Sequence, residues 1–263
     1  MDLALKDKVA VILAASSGIG RGIATVLAEE GCKVAICARD IDRLNLAAEE
    51  IRHATGVEVL AMEADVANHI SLDKFFDRVL NDFGHIDILV NNSGGPPPGK
   101  SLDISDKEYY SAFDLVLMSK IRACRRAIPS MLSRRWGRII NIESTSVKNA
   151  LENMTLSNVF RSASAAFAKT LSAEYARDGI RVHTLLSGPF LTNRVSELGE
   201  IAAEKGKISF EKWKLDAEAN TPLGRFGDPL EYGALVAFLA SDKADYMTGS
   251  SIAIDGGILR TIN

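Results

Sequence analysis

Residues 9–24 read VAVILAASSGIGRGIA. A short run of branched and small apolar residues passes through alanines, serines and two glycines straight into a segment with helical apolar spacing. A strand that hands over to a helix in this way leaves the backbone N–H groups of the first helical turn open. Together with the helix dipole, those groups favour a pyrophosphate. A plain tight strand-to-helix connection would carry similar residues, so the meaning of the stretch depends on its surroundings.

Those surroundings repeat the pattern. KVAICA from Lys33, VEVLAM from Val57, IDILVN from Ile86, RIINIE from Arg138 and IRVHTLL from Ile180 are short apolar runs of the kind found in strands buried on both faces. Between them lie GRGIATVLAEEG, DRLNLAAEEIRHATG, SLDKFFDRVLNDFG and DKEYYSAFDLVLMSKIRACRRAIPSMLSRR, with apolar residues recurring at three and four. Repeated strand–helix units predict an α/β fold with a doubly wound parallel sheet and helices on both faces, because parallel neighbours need crossover connections. Ligands of such sheets sit beyond the carboxyl ends of the strands, where strand order reverses. The residues just after each strand therefore matter most for function.

The second strand ends CARD, residues 37–40. An acidic residue at this tip would accept hydrogen bonds from an adenosine ribose, but Ala38 and Arg39 stand there instead. The planar donor fork of Arg39 suits a ribose 2′-phosphate, which favours NADP(H) over NAD(H); a solvated surface arginine is the competing reading. EADV at 63–66 and NNSGG at 91–95 close the third and fourth strands with groups suited to adenine and ribose edges, notably Asp65, Val66, Asn92, Ser93 and Gly94.

At 263 residues, 47% of them hydrophobic and 25% charged, the chain is long enough for one large domain with a substantial core. A net charge of −3 and the lack of any basic run give no electrostatic reason to expect nucleic acid or an anionic membrane as partner. Cys32, Cys37 and Cys124 are odd in number and lack C-x-x-C spacing, so packing is expected of them, not a disulfide framework or a metal site. No apolar run approaches the roughly 20 residues of a membrane span, and no secretory leader is legible, so a cytoplasmic protein is expected. The charged stretch from Val195 to Gly227 reads as a helical insertion, and residues 190–225 are expected to form a lid over the cleft within the single domain 1–263.

SSGIG, ADV, NNSG, GRIINIES, AKTLSAEYARDGIRV, SGPFLT and MTGSSIAIDGG together resemble the short-chain dehydrogenase/reductase family over essentially the whole chain, in its 3-oxoacyl-carrier-protein reductase-like branch. The resemblance implies a Rossmann-type fold, a nicotinamide cofactor, a small carbonyl or alcohol substrate and a homotetramer or homodimer. It places the phosphate loop at Ala14, Ser16, Ser17, Gly18, Ile19 and Gly20, and the nicotinamide end at Gly188 and Thr192. A cap hydroxyl is the plainer reading of Thr192. Ala14 stands where the family carries its first turn glycine, which puts the loop geometry in question.

The catalytic centre departs further. Ser144 matches the family's serine, but the same register sets Ser157 in place of the tyrosine and Arg161 in place of the lysine of Tyr-x-x-x-Lys. Val116 stands where an asparagine usually holds a water. A serine hydroxyl is a far weaker acid than a phenol, and a guanidinium is effectively always protonated, so binding survives these changes better than proton transfer does. Glu143, Lys148 and Glu152 are candidates for a replacement acid, with a solvated loop charge the default for each; His183 reads as a half-buried, satisfied histidine. The leading expectation is an NADP(H)-dependent oxidoreductase with a variant site of Ser144, Ser157 and Arg161. The rival is a nucleotide-binding sensor or scaffold on the same fold.

Overall fold

In the computed structural model, which describes residues 1–261, the apolar runs pair as one seven-stranded sheet. Its strands are β1 (Val9–Ile12), β2 (Lys33–Ala38), β3 (Val59–Glu63), β4 (Ile88–Asn91), β5 (Gly137–Ser144), β6 (Ile180–Ser187) and β7 (Ser251–Ile254). The order is β3-β2-β1-β4-β5-β6-β7, and every neighbouring pair is parallel. Chain order reverses between β1 and β4, which opens the crevice at the carboxyl ends that such sheets use for ligands.

Alternation along each strand divides the core. On one face Ala10, Ile12, Val34 and Ile36 pack under α1 (Gly18–Glu29), α2 (Ile41–Thr55) and α9 (Pro229–Ala240). On the other, Val9, Val11, Ala35 and Cys37 meet α3 (His69–Phe83), α5 (Ser119–Arg134) and α6 (Thr155–Tyr175). Burial on both faces explains why β1 and β4 read as continuous apolar runs. It also corrects His183. Covered on β6, it is only 1% exposed, and burial beside the positive charge of Arg138 pulls its pKa down to about 4, so it is a neutral core residue.

One segment differs from the sequence reading and another agrees with it. DKEYYSAFDLVLMSKIRACRRAIPSMLSRR predicts one helix, yet α4 (Asp106–Ala112) gives way to a π-helical segment, Phe113–Met118, before α5 begins. Local residues do not mark this change; it is made where the segment packs on α6 and sinks Val116 to 0% exposure. The charged insertion is helical as its spacing predicts: α7 (Asn193–Gly206) and α8 (Phe210–Ala219) close on each other through Trp213, whose ring lies against Gly199 and stacks on Phe210. Ile262 and Asn263 of the expected domain lie outside the described residues.

Candidate active site

A cleft of about 690 Å³ runs along the carboxyl ends of β1, β2, β3 and β4. Its floor is the turn after β1. Leu13 still donates to the Val90 carbonyl, and Ala14 then swings into left-handed backbone with φ 50°, its carbonyl oxygen held by Asn92 Nδ2 at 3.1 Å. The family's usual glycine would take this conformation freely, whereas alanine is strained there. The turn forms nonetheless, because the Asn92 amide pins it. Ser16, Ser17, Gly18, Ile19 and Gly20 line the cleft beyond it.

Ser17 is the N-cap of α1 but makes no side-chain cap bond, so the first-turn N–H groups of α1 stay open to an incoming group. Gly20 is needed on steric grounds. A Cβ there would come within 2.6 Å of the Ala14 oxygen and 2.8 Å of Asn92 Nδ2.

At one end Ala38, Arg39 and Asp40 border the cleft, joined by Arg43 from the first turn of α2. Asp40 caps α2 by accepting from Arg43 N at 3.0 Å, and its other oxygen lies 3.5 Å from Arg43 Nε. Among the described residues no carboxylate pairs with Arg39. Arg43 is a site residue that the sequence reading passed over, although its spacing of four from Arg39 marks it. Asp65, Val66, Asn92, Ser93 and Gly94 form the far wall, as expected from the strand ends. Ser93 Oγ is buried with no hydrogen-bond partner.

The catalytic candidates assemble separately, just past the lining of this cleft. Ser157 and Arg161 share one face of α6, and Arg161 Nε donates to Ser157 Oγ at 3.0 Å. The guanidinium continues through Nη1 to Glu143 Oε2 at 3.1 Å and to the Ile142 carbonyl at 3.4 Å. Its Nη2 lies beside Gly95 at the cleft wall. Ser144 Oγ is turned to accept from Ser146 N at 3.1 Å, capping the short 3-10 turn Thr145–Val147.

Glu143 is fully buried, its second oxygen held by the ammonium of Lys120 on α5. It is therefore the counter-ion of two cations, while the other acid candidates, Lys148 and Glu152, are exposed. Lys120 is the second residue missed by the sequence reading. A lysine inside the apolar face that also buries Ala123, Cys124 and Ala127 was the available signal. Burial, reinforced by repulsion from Arg161, lowers its pKa from the ordinary amine value, and Glu143 opposes that shift.

Of the two residues expected at the nicotinamide end, one sits differently. Gly188 does not line the cleft. It lets the end of β6 approach the end of β7, since a Cβ there would lie 2.5 Å from Asp255 Cα. Thr192 does line it, with its methyl against Gly18, but its hydroxyl also caps α7 by accepting from Val195 N at 3.3 Å. Ser187, in the position before Gly188, donates to the phenol oxygen of fully buried Tyr232 at 3.0 Å.

Comparison with known proteins agrees with this fold. Residues 13–259 match the profile of a family described as enoyl-(acyl carrier protein) reductase. The chain is 33% identical over 255 residues to the 3-oxoacyl-[acyl-carrier-protein] reductase of Staphylococcus epidermidis, covering 96% of this chain and 99% of that protein. It is 29% identical over 260 residues to the NADPH-dependent reductase BacG of Bacillus subtilis, covering 98% and 100%. The crystal structure of L-sorbose reductase from Gluconobacter frateurii, complexed with NADPH and L-sorbose, superposes with a TM-score of 0.96 at 33% identity over 100% of both chains. With the family profile spanning nearly the whole chain, these identities and the shared parallel-sheet fold, the chain belongs to the short-chain dehydrogenase/reductase family.

Proposed function

We propose that the protein is an NADP(H)-dependent oxidoreductase interconverting a small carbonyl compound and its alcohol, with Ser144, Ser157 and Arg161 as a variant reaction centre. The observation that carries this reading is the cleft itself, with two arginines at one end and the Ser157–Arg161 pair past the other. The cofactor fits its residues. The Gly20 cradle admits no Cβ, the uncapped α1 N-terminus suits a pyrophosphate, and the orphaned Ser93 hydroxyl is placed to bond a ribose. The cofactor supplies the hydride chemistry when bound.

The chain's own part is holding and polarising. Arg39 and Arg43 meet the 2′-phosphate, Asp65 and Val66 border the adenine, and Thr192 donates its free hydroxyl proton toward the carboxamide. Arg161 would offer Nη2 to the nicotinamide ribose, and the Ser144 and Ser157 hydroxyls, whose oxygens already accept from Ser146 N and Arg161 Nε, keep a proton to donate toward a substrate oxygen. Among the described residues no phenol hydrogen-bonds Arg161, which also favours a second reading, a nucleotide-dependent sensor or scaffold. Single-turnover oxidation of bound NADPH against a panel of carbonyl compounds separates the two, with a preparation of the Ser157→Ala, Arg161→Ala double variant controlling for contaminating reductase. Oxidation equal in both preparations, or none in either, supports the sensor.

Cofactor choice has its own test. Arg39→Ala should weaken NADPH about 10- to 150-fold, the range for a lost charged hydrogen bond, while NADH affinity stays within about twofold. Equal losses for the two cofactors in calorimetry would remove Arg39 from the phosphate site.

The α7–α8 hairpin is proposed as the lid, since Thr192 joins its first helix to the cleft. A homotetramer or homodimer is proposed on the long helices before and after β5, α5 and α6, next to which Tyr110 of α4 and Phe113 of the π-helical segment remain exposed, as does Val159 of α6 itself. Light scattering that gives the mass of a single chain at micromolar concentration would exclude it. No helix among the described residues is long and apolar enough to cross a membrane, and the three cysteines are buried free thiols, which supports placing the protein in the reducing cytoplasm.

A further inference from the structure

Lys120, Glu143 and Arg161 come from three different elements, α5, β5 and α6, and meet in the core. The exposures of their side chains are 1%, 0% and 11%. Two cations thus share one carboxylate in a region poorly screened by water, leaving the group with one positive charge in excess.

The hydrogen bonds show where that excess is felt. The Lys120 ammonium is spent inward, on one oxygen of Glu143 and on the Ile142 carbonyl at 3.4 Å. Arg161 gives Nε to Ser157 and Nη1 to Glu143 and Ile142, while its Nη2, beside Gly95, has no hydrogen-bond partner among the described residues. The one outward-facing donor of the group lies at the cleft wall.

We propose that Lys120 is a positioning residue which, by occupying Glu143, keeps the charge of Arg161 unneutralised and makes the protein hold the reduced cofactor more tightly than the oxidised one. The inference rests on the reading that Arg161 meets the nicotinamide end. The nicotinamide ring is cationic when oxidised and neutral when reduced, so a surplus positive charge beside it repels only the oxidised form. Without the ammonium, Glu143 would neutralise Arg161 in full and the discrimination would fade. Without the carboxylate it would grow.

The test is the ratio of NADP⁺ to NADPH dissociation constants, read by calorimetry on the folded full-length protein. The parent should favour NADPH. Lys120→Met should cut the ratio about tenfold, Glu143→Gln should raise it, and the double variant, in which Arg161 again has a neutral neighbour, should return close to the parent. A purely structural role would weaken both cofactor forms together and leave the ratio alone; that outcome, or a shift of the same sign in both single variants, overturns the proposal. If Lys120→Met does not fold, the Glu143→Gln and double variants still decide it by the same opposition. Arg161→Ala separates this inference from the one beneath it. No change in either affinity means that Arg161 does not meet the cofactor, whereas a loss of affinity with an unaltered ratio in Lys120→Met removes only the role of Lys120.

Discussion

Arg161→Ala is expected to raise the NADPH dissociation constant by about 10- to 150-fold, the equivalent of about 1.5–3 kcal/mol for a charged hydrogen bond. The fold should tolerate the change. Glu143 keeps the Lys120 ammonium, so truncation does not strand a buried carboxylate, and the vacated space opens toward the cleft wall at Gly95. Ser157 loses only the donor to its oxygen. Ser157→Ala should accordingly leave NADPH affinity within about twofold, since a neutral hydroxyl that accepts one bond contributes little to holding an anion. Calorimetry on the two variants, with circular dichroism to check the fold, gives the contrast directly. If Ser157→Ala leaves binding intact but abolishes a robust turnover, Ser157 takes part in proton transfer, and the two residues are more than a binding pair.

Gly20→Val should be the most damaging single change in the cleft. Its Cβ would sit 2.6 Å from the Ala14 oxygen and 2.8 Å from Asn92 Nδ2, and both are fixed, because Asn92 is what holds Ala14 in left-handed backbone. Relief requires moving the turn or the start of α1. Overpacking of this kind destabilises by about 1–3 kcal/mol, which for a chain of this size lowers Tm by about 2–12 °C. Displacing the helix terminus should also reduce NADPH affinity more than about 100-fold, beyond what lost stability accounts for. Gly94→Ala is the matching control: nothing lies within 4 Å of a Cβ there, although Gly94 lines the same cleft. A Gly20→Val protein with parental melting temperature and affinity would show that the loop is looser than its contacts imply.

Much of the architecture was legible before any contact was known. Six of the seven strands were read within about two residues, β2 without error, because runs such as KVAICA are buried on both faces; β7, half exposed along its length, was not placed. The turn after β1, Arg39 and the strand-end residues that line the cleft were legible for a related reason: in a parallel sheet the ligand crevice lies at the carboxyl ends, so finding the strands locates it. Ser157 and Arg161 were paired by their spacing of four on a helix, and the structure joins them at 3.0 Å.

Other features had no local trace. The left-handed Ala14 depends on an amide 78 residues away, and the π-helical segment Phe113–Met118 forms in an ordinary helical sequence where it meets α6. Glu143 read as a loop charge, yet its partners lie 23 and 18 residues along the chain on separate helices. The sequence by itself determined the order of strands and helices, the parallel sheet and the cleft rim, because periodicity and turn chemistry act over a few residues. Only the tertiary structure decided which charges share the core beside the cleft. Coulomb energy depends on distance and on exclusion of water, and neither exists until β5, α5 and α6 are packed together.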